Sequence, residues 1–392
     1  MRRVTGLGGL WRPFLGVFLG QTAVYLARPV VSYRALDLGA GEFGVGLLVA
    51  VYAFLPLLCA VTLGRLAGAF RFSGMLPGLG SVLLAGGCVL SAAAGDLTSL
   101  AIGSALMGLG NICVTLGSQA WVSRAAGPEK FDVGFGWVTA GMSLGQAVGP
   151  LIAGTVGGGG AIPTSESLQA AFWIASGIAL LALVCFVSRS TGIGADDEAG
   201  EARLSALGIL RRPGVAPVML VGVVLLTTTD LLGAYLPVIA QSTGIPAFVV
   251  GALLAVRGAA STIARFLIGP LTRRWSRMTL LIASTLGAAA TMAVVGVTHI
   301  VVVLFVVLAV GGFLLGIGTP LSISVVAIAV PARARSSALA VRLFGNRLAQ
   351  VVLPPAAGAL AASLGIGAAF MLQAGLLVVA AVWTRLALHS RE

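Results

Sequence analysis

Side chains that carry chemistry are scarce in this chain. Its 392 residues include two histidines, four cysteines and a single lysine, and only 9% are charged. His299 and His389 are expected in a turn and in the C-terminal tail. No Ser-His-Asp set, metal cluster or dinucleotide fingerprint therefore has a workable context, and neither an enzyme nor a bound cofactor or metal is expected. Cys59, Cys88, Cys113 and Cys185 lie far apart inside apolar runs. They show neither metal-ligand spacing nor a loop pair suited to a disulfide, so they read as small apolar packing residues. The run Gly157-Gly158-Gly159-Gly160 has no Lys-Ser/Thr after it and no strand before it, which makes it a flexible turn and not a phosphate loop. The net charge of +12 invites a nucleic-acid reading. The basic residues sit in short loops between apolar runs, however, and no nucleic-acid partner is expected.

What the chain has in abundance is apolar surface, with 58% hydrophobic residues arranged in repeated runs. Runs of about 20 residues are the mark of membrane-spanning helices. Twelve spans are expected near 12–33, 43–63, 75–95, 98–120, 133–156, 168–188, 215–238, 248–270, 278–297, 300–328, 337–361 and 366–387. Met1-Arg2-Arg3 followed by an apolar run from Trp11 mimics a signal peptide. The run is too long and lacks an obvious cleavage site, so it reads as the first retained helix. Fifty-five glycines and 16 prolines would weaken soluble helices, but bundles in lipid tolerate them.

Arg and Lys set the orientation. Of 24 basic residues, nineteen fall on the side that holds both termini, among them Arg2, Arg3, Arg71, Arg189, Arg203, Arg333 and Arg391; only Arg34 falls on the other. Both termini are therefore expected in the cytoplasm of a multi-pass protein of the inner or plasma membrane. Ser188 to Arg212 is the longest polar segment. It reads as a solvated linker, giving an N-terminal six-helix bundle over 1–188, a cytoplasmic linker over 189–213 and a C-terminal six-helix bundle over 214–392. The expected fold is all-α, with twelve transmembrane helices in two pseudo-symmetric bundles. The halves repeat at an offset of 205, Phe43-Gly44-Val45-Gly46 aligning with Phe248-Val249-Val250-Gly251; later the offset is 204, with Gln146 matching Gln350 and Pro150 matching Pro354. Such six-helix repeats place a substrate site between the halves, near the bilayer midplane.

Two stretches carry a resemblance to a known family. Arg265 followed by Gly269-Pro270-Leu271-Thr272-Arg273-Arg274-Trp275-Ser276-Arg277 resembles the short basic loop of the major facilitator superfamily, with Arg273 where that family carries Asp. The equivalent loop, Gly64-Arg65-Leu66-Ala67-Gly68, lacks the Asp as well. The resemblance implies that this Asp would help lock an inner gate, and its absence from both halves puts the usual lock in doubt. Gly136, Gly145, Gly149-Pro150 and Gly154 are similar in spacing to the fifth-helix motif of the family's drug–proton antiporters, with Ala153 in place of one glycine. Independently of any name, small residues at this spacing let helix backbones approach closely, and Pro150 removes one backbone hydrogen bond. Antiporters of that type also carry a fourth-helix Arg, where this chain has Ser104. Proton coupling is therefore not carried over at that position.

Asp230 is the one acid deep inside an apolar run. A charge near the middle of a bilayer costs at least ~3 kcal/mol and marks a pathway or a paired site. Two readings stay open: Asp230 exchanges a proton across the membrane, or an Arg holds it ionised and it locks two helices. Arg257 falls at about the same level by the 1.5 Å helical rise, and Arg28 in the first helix is the other candidate for a gate or charge pair. Arg342 has the freedom to snorkel to the inner surface, whereas Arg347 has less. Gln21, Tyr25, Asn111, Gln146, Tyr235, Asn346, Arg347 and Gln350 are candidates for lining a substrate cavity; Tyr25 and Asp230 hold equivalent repeat positions. Gly269, Arg273, Arg274 and Arg277 are expected to form a conformational motif with the fifth-helix glycines.

These features lead to the expectation of a monomeric secondary transporter working by alternating access. It would export a small organic molecule in exchange for protons, the excess of deep arginines favouring anionic or acidic amphiphiles. A facilitator or importer of the same fold is the alternative. A non-transporting membrane sensor or scaffold is the alternative of another class.

Overall fold

The computed structural model describes residues 11–68, 75–125, 127–160, 162–186, 206–212, 214–330 and 335–389. Arg2, Arg3, Arg71, Arg189, Arg203, Arg333, Arg391 and most of the expected linker lie outside them. The described chain is helical almost throughout. In order the helices are α1 (Trp11–Asp37), α2 (Glu42–Gly68), α3 (Leu76–Ala92), α4 (Leu97–Ala125), α5 (Gly127–Gly157), α6 (Ser165–Phe186), α7 (Ala206–Leu210), α8 (Val215–Thr243), α9 (Ala247–Arg274), α10 (Arg277–Val297), α11 (Val301–Ala329), α12 (Arg335–Leu364) and α13 (Ile366–His389). The count among the described residues is thirteen because the five-residue α7 lies within the stretch expected as linker. The twelve longer helices overlap the twelve apolar runs.

Ten of these helices are long and apolar enough to cross a membrane, and α3 is an apolar helix of 17 residues. Large apolar side chains stand on their outer faces, with Val184 70% exposed and Phe266 and Val302 each 72% exposed. Water would penalise such surface, whereas lipid accepts it. The protein is thus a multi-pass membrane protein. Helix ends follow local chemistry. Ser276 accepts from the Thr279 N–H at 3.0 Å and opens α10, and Asp96 Oδ1 accepts from the Thr98 and Ser99 N–H groups at 2.8 and 2.9 Å and opens α4. Gly244, at φ +77°, turns the chain after α8 in a left-handed conformation that a side chain would strain.

The chain forms two compact units. The first holds Met1–Gly39, Val51–Asp197 and Pro246–Ala255, and the second holds Ala40–Ala50, Glu198–Ile245 and Val256–Glu392. They follow the two halves of the sequence except for one short exchange each way. The start of α2 groups with the second unit, and the start of α9 with the first.

The fifth-helix glycines explain part of this. Gly145 and Gly149 lie flat on α1: an added Cβ would fall 2.6 Å from the Gln21 Cβ in one case and 2.7 Å from the Leu26 nitrogen in the other. Gly154 faces α9 instead, with its would-be Cβ 2.9 Å from the Gly251 Cα. Gly136 lies on α5 as well, but its surroundings are outside the described residues. The second unit repeats the design: in the first, a Cβ on Gly251 would fall 2.5 Å from the Pro150 carbonyl oxygen, and in the second, one on Gly46 would fall 2.4 Å from that of Pro354. Gly46 and Gly251, like Pro150 and Pro354, are the matched positions of the sequence repeat.

Candidate functional site

Asp230 sits on α8, only 4% exposed. Gln350 on α12 donates from Nε2 to Asp230 Oδ2 at 2.5 Å. The same amide accepts at Oε1 from Arg347 Nη1, at 2.9 Å. The order of these contacts fixes the amide's orientation, since only its NH2 can serve a carboxylate and only its oxygen can serve a guanidinium. The result is a polarised line, Arg347 to Gln350 to Asp230. Arg257 on α9, 2% exposed, donates from Nη1 to the Thr229 hydroxyl at 3.4 Å, which brings its charge to the residue beside Asp230. The helical-rise count placed Arg257 at this level; Gln350 as the group on the carboxylate was beyond such a count.

One turn further along α8, Tyr235 is fully buried. Its hydroxyl faces the Pro354 carbonyl at 2.9 Å and the Glu42 carbonyl at 3.3 Å, so one O–H proton is shared between two acceptors. Its single hydroxyl proton is thus committed to main-chain carbonyls. Gly358 makes room beside it: a Cβ there would fall 2.6 Å from the Tyr235 oxygen.

Two turns before Asp230, the Arg342 guanidinium lies against Gly222, where an added Cβ would fall 3.1 Å from both Nε and Nη2. Nη2 donates to Ser322 Oγ at 3.1 Å. Arg342 is 9% exposed, so it is packed between helices and does not use its freedom to snorkel; the flat backbone at Gly222 and the hydroxyl of Ser322 give the guanidinium a place inside the bundle. Asn346, one turn from Arg342, is buried with no hydrogen-bond partner for Oδ1 among the described residues. Gln373 on α13 was not among the sequence candidates. It donates from Nε2 to the Val224 carbonyl and the Thr228 hydroxyl, both at 2.8 Å, and lies 3.2 Å from the Thr227 hydroxyl. A Gln inside an apolar run, matched by Gln169 at the repeat offset of 204, was its sequence signal.

The first unit carries different chemistry at matching places. Gln21 on α1 donates to Asn111 Oδ1 on α4 at 2.8 Å. The Arg28 guanidinium lies 5.6 Å from the Tyr25 ring centre and 4.7 Å from that of Tyr52, contacts that stabilise a half-buried cation by about 1 kcal/mol. Tyr25 and Tyr52 match Asp230 and Arg257 at the repeat offset. One unit therefore sandwiches a cation between phenols where the other sets an acid beside a cation. Gln146, the match of Gln350, is half-buried on α5. Arg273 and Arg274 end α9 and Arg277 begins α10, all exposed, and Gly269 has no atom within 4 Å of an added Cβ. The structure thus gathers Asp230, Gln350, Arg347 and Arg257 at one level of the second unit and leaves the loop basic residues at helix ends.

Long apolar helices in two units, with buried polar groups inside them, are the make-up of a membrane transporter fold. The Major Facilitator Superfamily profile matches residues 13–231 and 218–392, and the chain belongs to that family. No curated protein matches the sequence. Among solved structures the fold is similar to that of a peptide transporter POT in complex with sulfate (16% identity, 98% of this chain and 94% of that one, TM-score 0.79). The nucleoside transporter NupG shares 14% identity over 97% of this chain and 99% of its own, with a TM-score of 0.78. A bacterial homologue of the human lysosomal transporter Spinster, inward-facing and unoccupied, shares 16% identity over 97% of each chain, with a TM-score of 0.76. At these identities the likeness establishes the fold.

Proposed function

We propose that this protein is a monomeric secondary active transporter of a cell's inner or plasma membrane. Twelve spans form two six-helix bundles, 1–188 and 214–392, joined by a cytoplasmic linker at 189–213, with both termini cytoplasmic. It exports a small organic molecule by alternating access in exchange for protons, as the fifth-helix spacing of drug–proton antiporters suggests. The observation that carries this reading is the buried carboxylate of Asp230, held by Gln350 inside a membrane helix. An acid at that depth is expensive unless it is used or firmly paired. Arg28 and Arg257 act at the gates, and Gln21, Tyr25, Asn111, Gln146, Asn346, Arg347 and Gln350 line the path. The neighbouring folds named for peptides, nucleosides and 5-aminolevulinic acid support a small polar organic cargo. Four deep arginines (Arg28, Arg257, Arg342 and Arg347) against one deep acid favour an anionic or acidic amphiphilic one.

A second reading, a facilitator of the same fold, is favoured by Ser104 at the position where the antiporters carry Arg. One experiment separates the two. Full-length protein is reconstituted in vesicles and offered a panel of organic acids and lipophilic cations under an imposed proton gradient, as wild type and as Asp230→Asn. Antiport predicts gradient-driven accumulation that Asp230→Asn abolishes while gradient-independent exchange continues. Transport of equal rate with and without the gradient, in both proteins, would establish the facilitator instead. No flux of any panel member would favour a sensor or scaffold.

A further inference from the structure

The two hydrogen bonds at Gln350 point in one direction, and this has a chemical consequence. Nε2 donates to Asp230 Oδ2 and Oε1 accepts from Arg347 Nη1. Each bond polarises the amide in the sense that strengthens the other, because electron density drawn toward Oε1 makes the NH2 a better donor. Both bonds are also charge-assisted, one by the carboxylate and one by the guanidinium. Gln350 is 5% exposed, so water does not substitute for either partner at low cost.

We propose that Gln350 is the positioning residue through which the charge states of Asp230 and Arg347 act on one another. The proposal rests on Asp230 being the group that exchanges protons. With Asp230 ionised, the amide is held between acid and cation, and Arg347 is engaged. When Asp230 takes a proton, its bond to Nε2 loses charge assistance. The Oε1 contact then weakens, and Arg347 becomes available to an anionic group of the transported molecule. The converse follows by linkage: an anion that draws Arg347 away from Gln350 favours proton uptake at Asp230. Among the described residues, the other charged groups deep in helices around α8 are Arg257, reaching Thr229, and Arg342, two turns away on Ser322. Neither touches the Gln350 amide in these contacts.

The test is a mutant cycle read by infrared spectroscopy on full-length protein in lipid, following the carbonyl band of protonated Asp230, identified by its loss in Asp230→Asn. Arg347→Gln, which mimics withdrawal of the cation, should raise the half-formation pH of that band by about one unit, a tenfold change in proton affinity for one charge-assisted contact. In a Gln350→Leu background the same change should move it by less than a third of that. Gln350→Met serves the same purpose if the leucine variant does not fold. An equal shift in both backgrounds overturns the relay, because Arg347 would then act on Asp230 without Gln350. No shift in either background overturns it too. Both of these results leave Asp230 standing as the proton site. Absence of any band lost with Asp230→Asn across the stable pH range would instead remove Asp230 from coupling, and the relay with it.

Discussion

Replacing Tyr235 with Phe keeps the buried ring and removes one oxygen. That oxygen faces Pro354 at 2.9 Å and Glu42 at 3.3 Å, so two carbonyls lose the donor they share. One net hydrogen bond in a protein is worth about 1 kcal/mol, and a buried polar group left unsatisfied costs about 1–3 kcal/mol. The longer Glu42 contact contributes less than the Pro354 one, and the sum is about 2 kcal/mol. Because Glu42 opens α2 while Pro354 belongs to α12, this energy weighs on a single arrangement, the one in which the start of α2 stays grouped with the second unit. A loss of about 2 kcal/mol multiplies the population of arrangements without that contact by about 30. Spin labels at the exposed positions Phe43 and Ala362 would report it as a second, longer distance that is minor in the wild type and prominent in Tyr235→Phe. An unchanged distance distribution in folded, monodisperse Tyr235→Phe protein would refute the reasoning, since the hydroxyl would then contribute equally to every arrangement or to none.

Two further outcomes follow from contacts away from Asp230. Gln373→Leu fills a similar volume but withdraws the donor from Val224, Thr227 and Thr228; thermal unfolding should show a loss of about 2 kcal/mol, moderated because both threonine hydroxyls already donate to the Val224 carbonyl. The Asp96 carboxylate at the start of α4 is held below the usual carboxylate range, chiefly by the Ser99 N–H, which desolvation partly opposes, with a smaller contribution from the Thr98 N–H. A lowered folded value means the cap's contribution is present above the ordinary carboxylate range and fades as pH falls through the lowered one. Hydrogen-exchange protection at Thr98 and Ser99 should fade over that interval in the wild type and show no such pH dependence in Asp96→Asn.

Much of the fold was legible because lipid imposes a length and an apolarity on each span, and the twelve runs carry both. Asp230 was legible for the same reason, as one charge in a run that excludes charge. The repeat was legible too, and the glycines at 46 and 251 meet prolines 354 and 150 in the same way in their respective units. What the sequence does not contain is the rotation and register of one helix against its neighbour. Depth alone put Arg257 at the level of Asp230, but it could not say that an amide on α12 would face the carboxylate. It also left a surface position open to Arg342, because the space that holds its guanidinium is created by a glycine on α8, four helices earlier in sequence. Tyr235 read as a cavity residue because its hydroxyl's two acceptors are main-chain carbonyls, which leave no trace in side-chain composition. Gln373 passed unnoticed although the repeat, at its later offset of 204, matches Leu372-Gln373-Ala374 with Leu168-Gln169-Ala170.

The matched seams at Gly46 and Gly251 differ in one side chain. Where the second unit places Tyr235, the first has the matching residue Val30, beside a small cavity bounded by Tyr33, Gly154, Ala247 and Gly251. The Tyr33 hydroxyl is buried there without a hydrogen-bond partner among the described residues. Duplication has preserved the backbone geometry of both seams while divergence has left a bolt on one and a hollow in the other. Equal displacements at the two therefore cost unequal free energy.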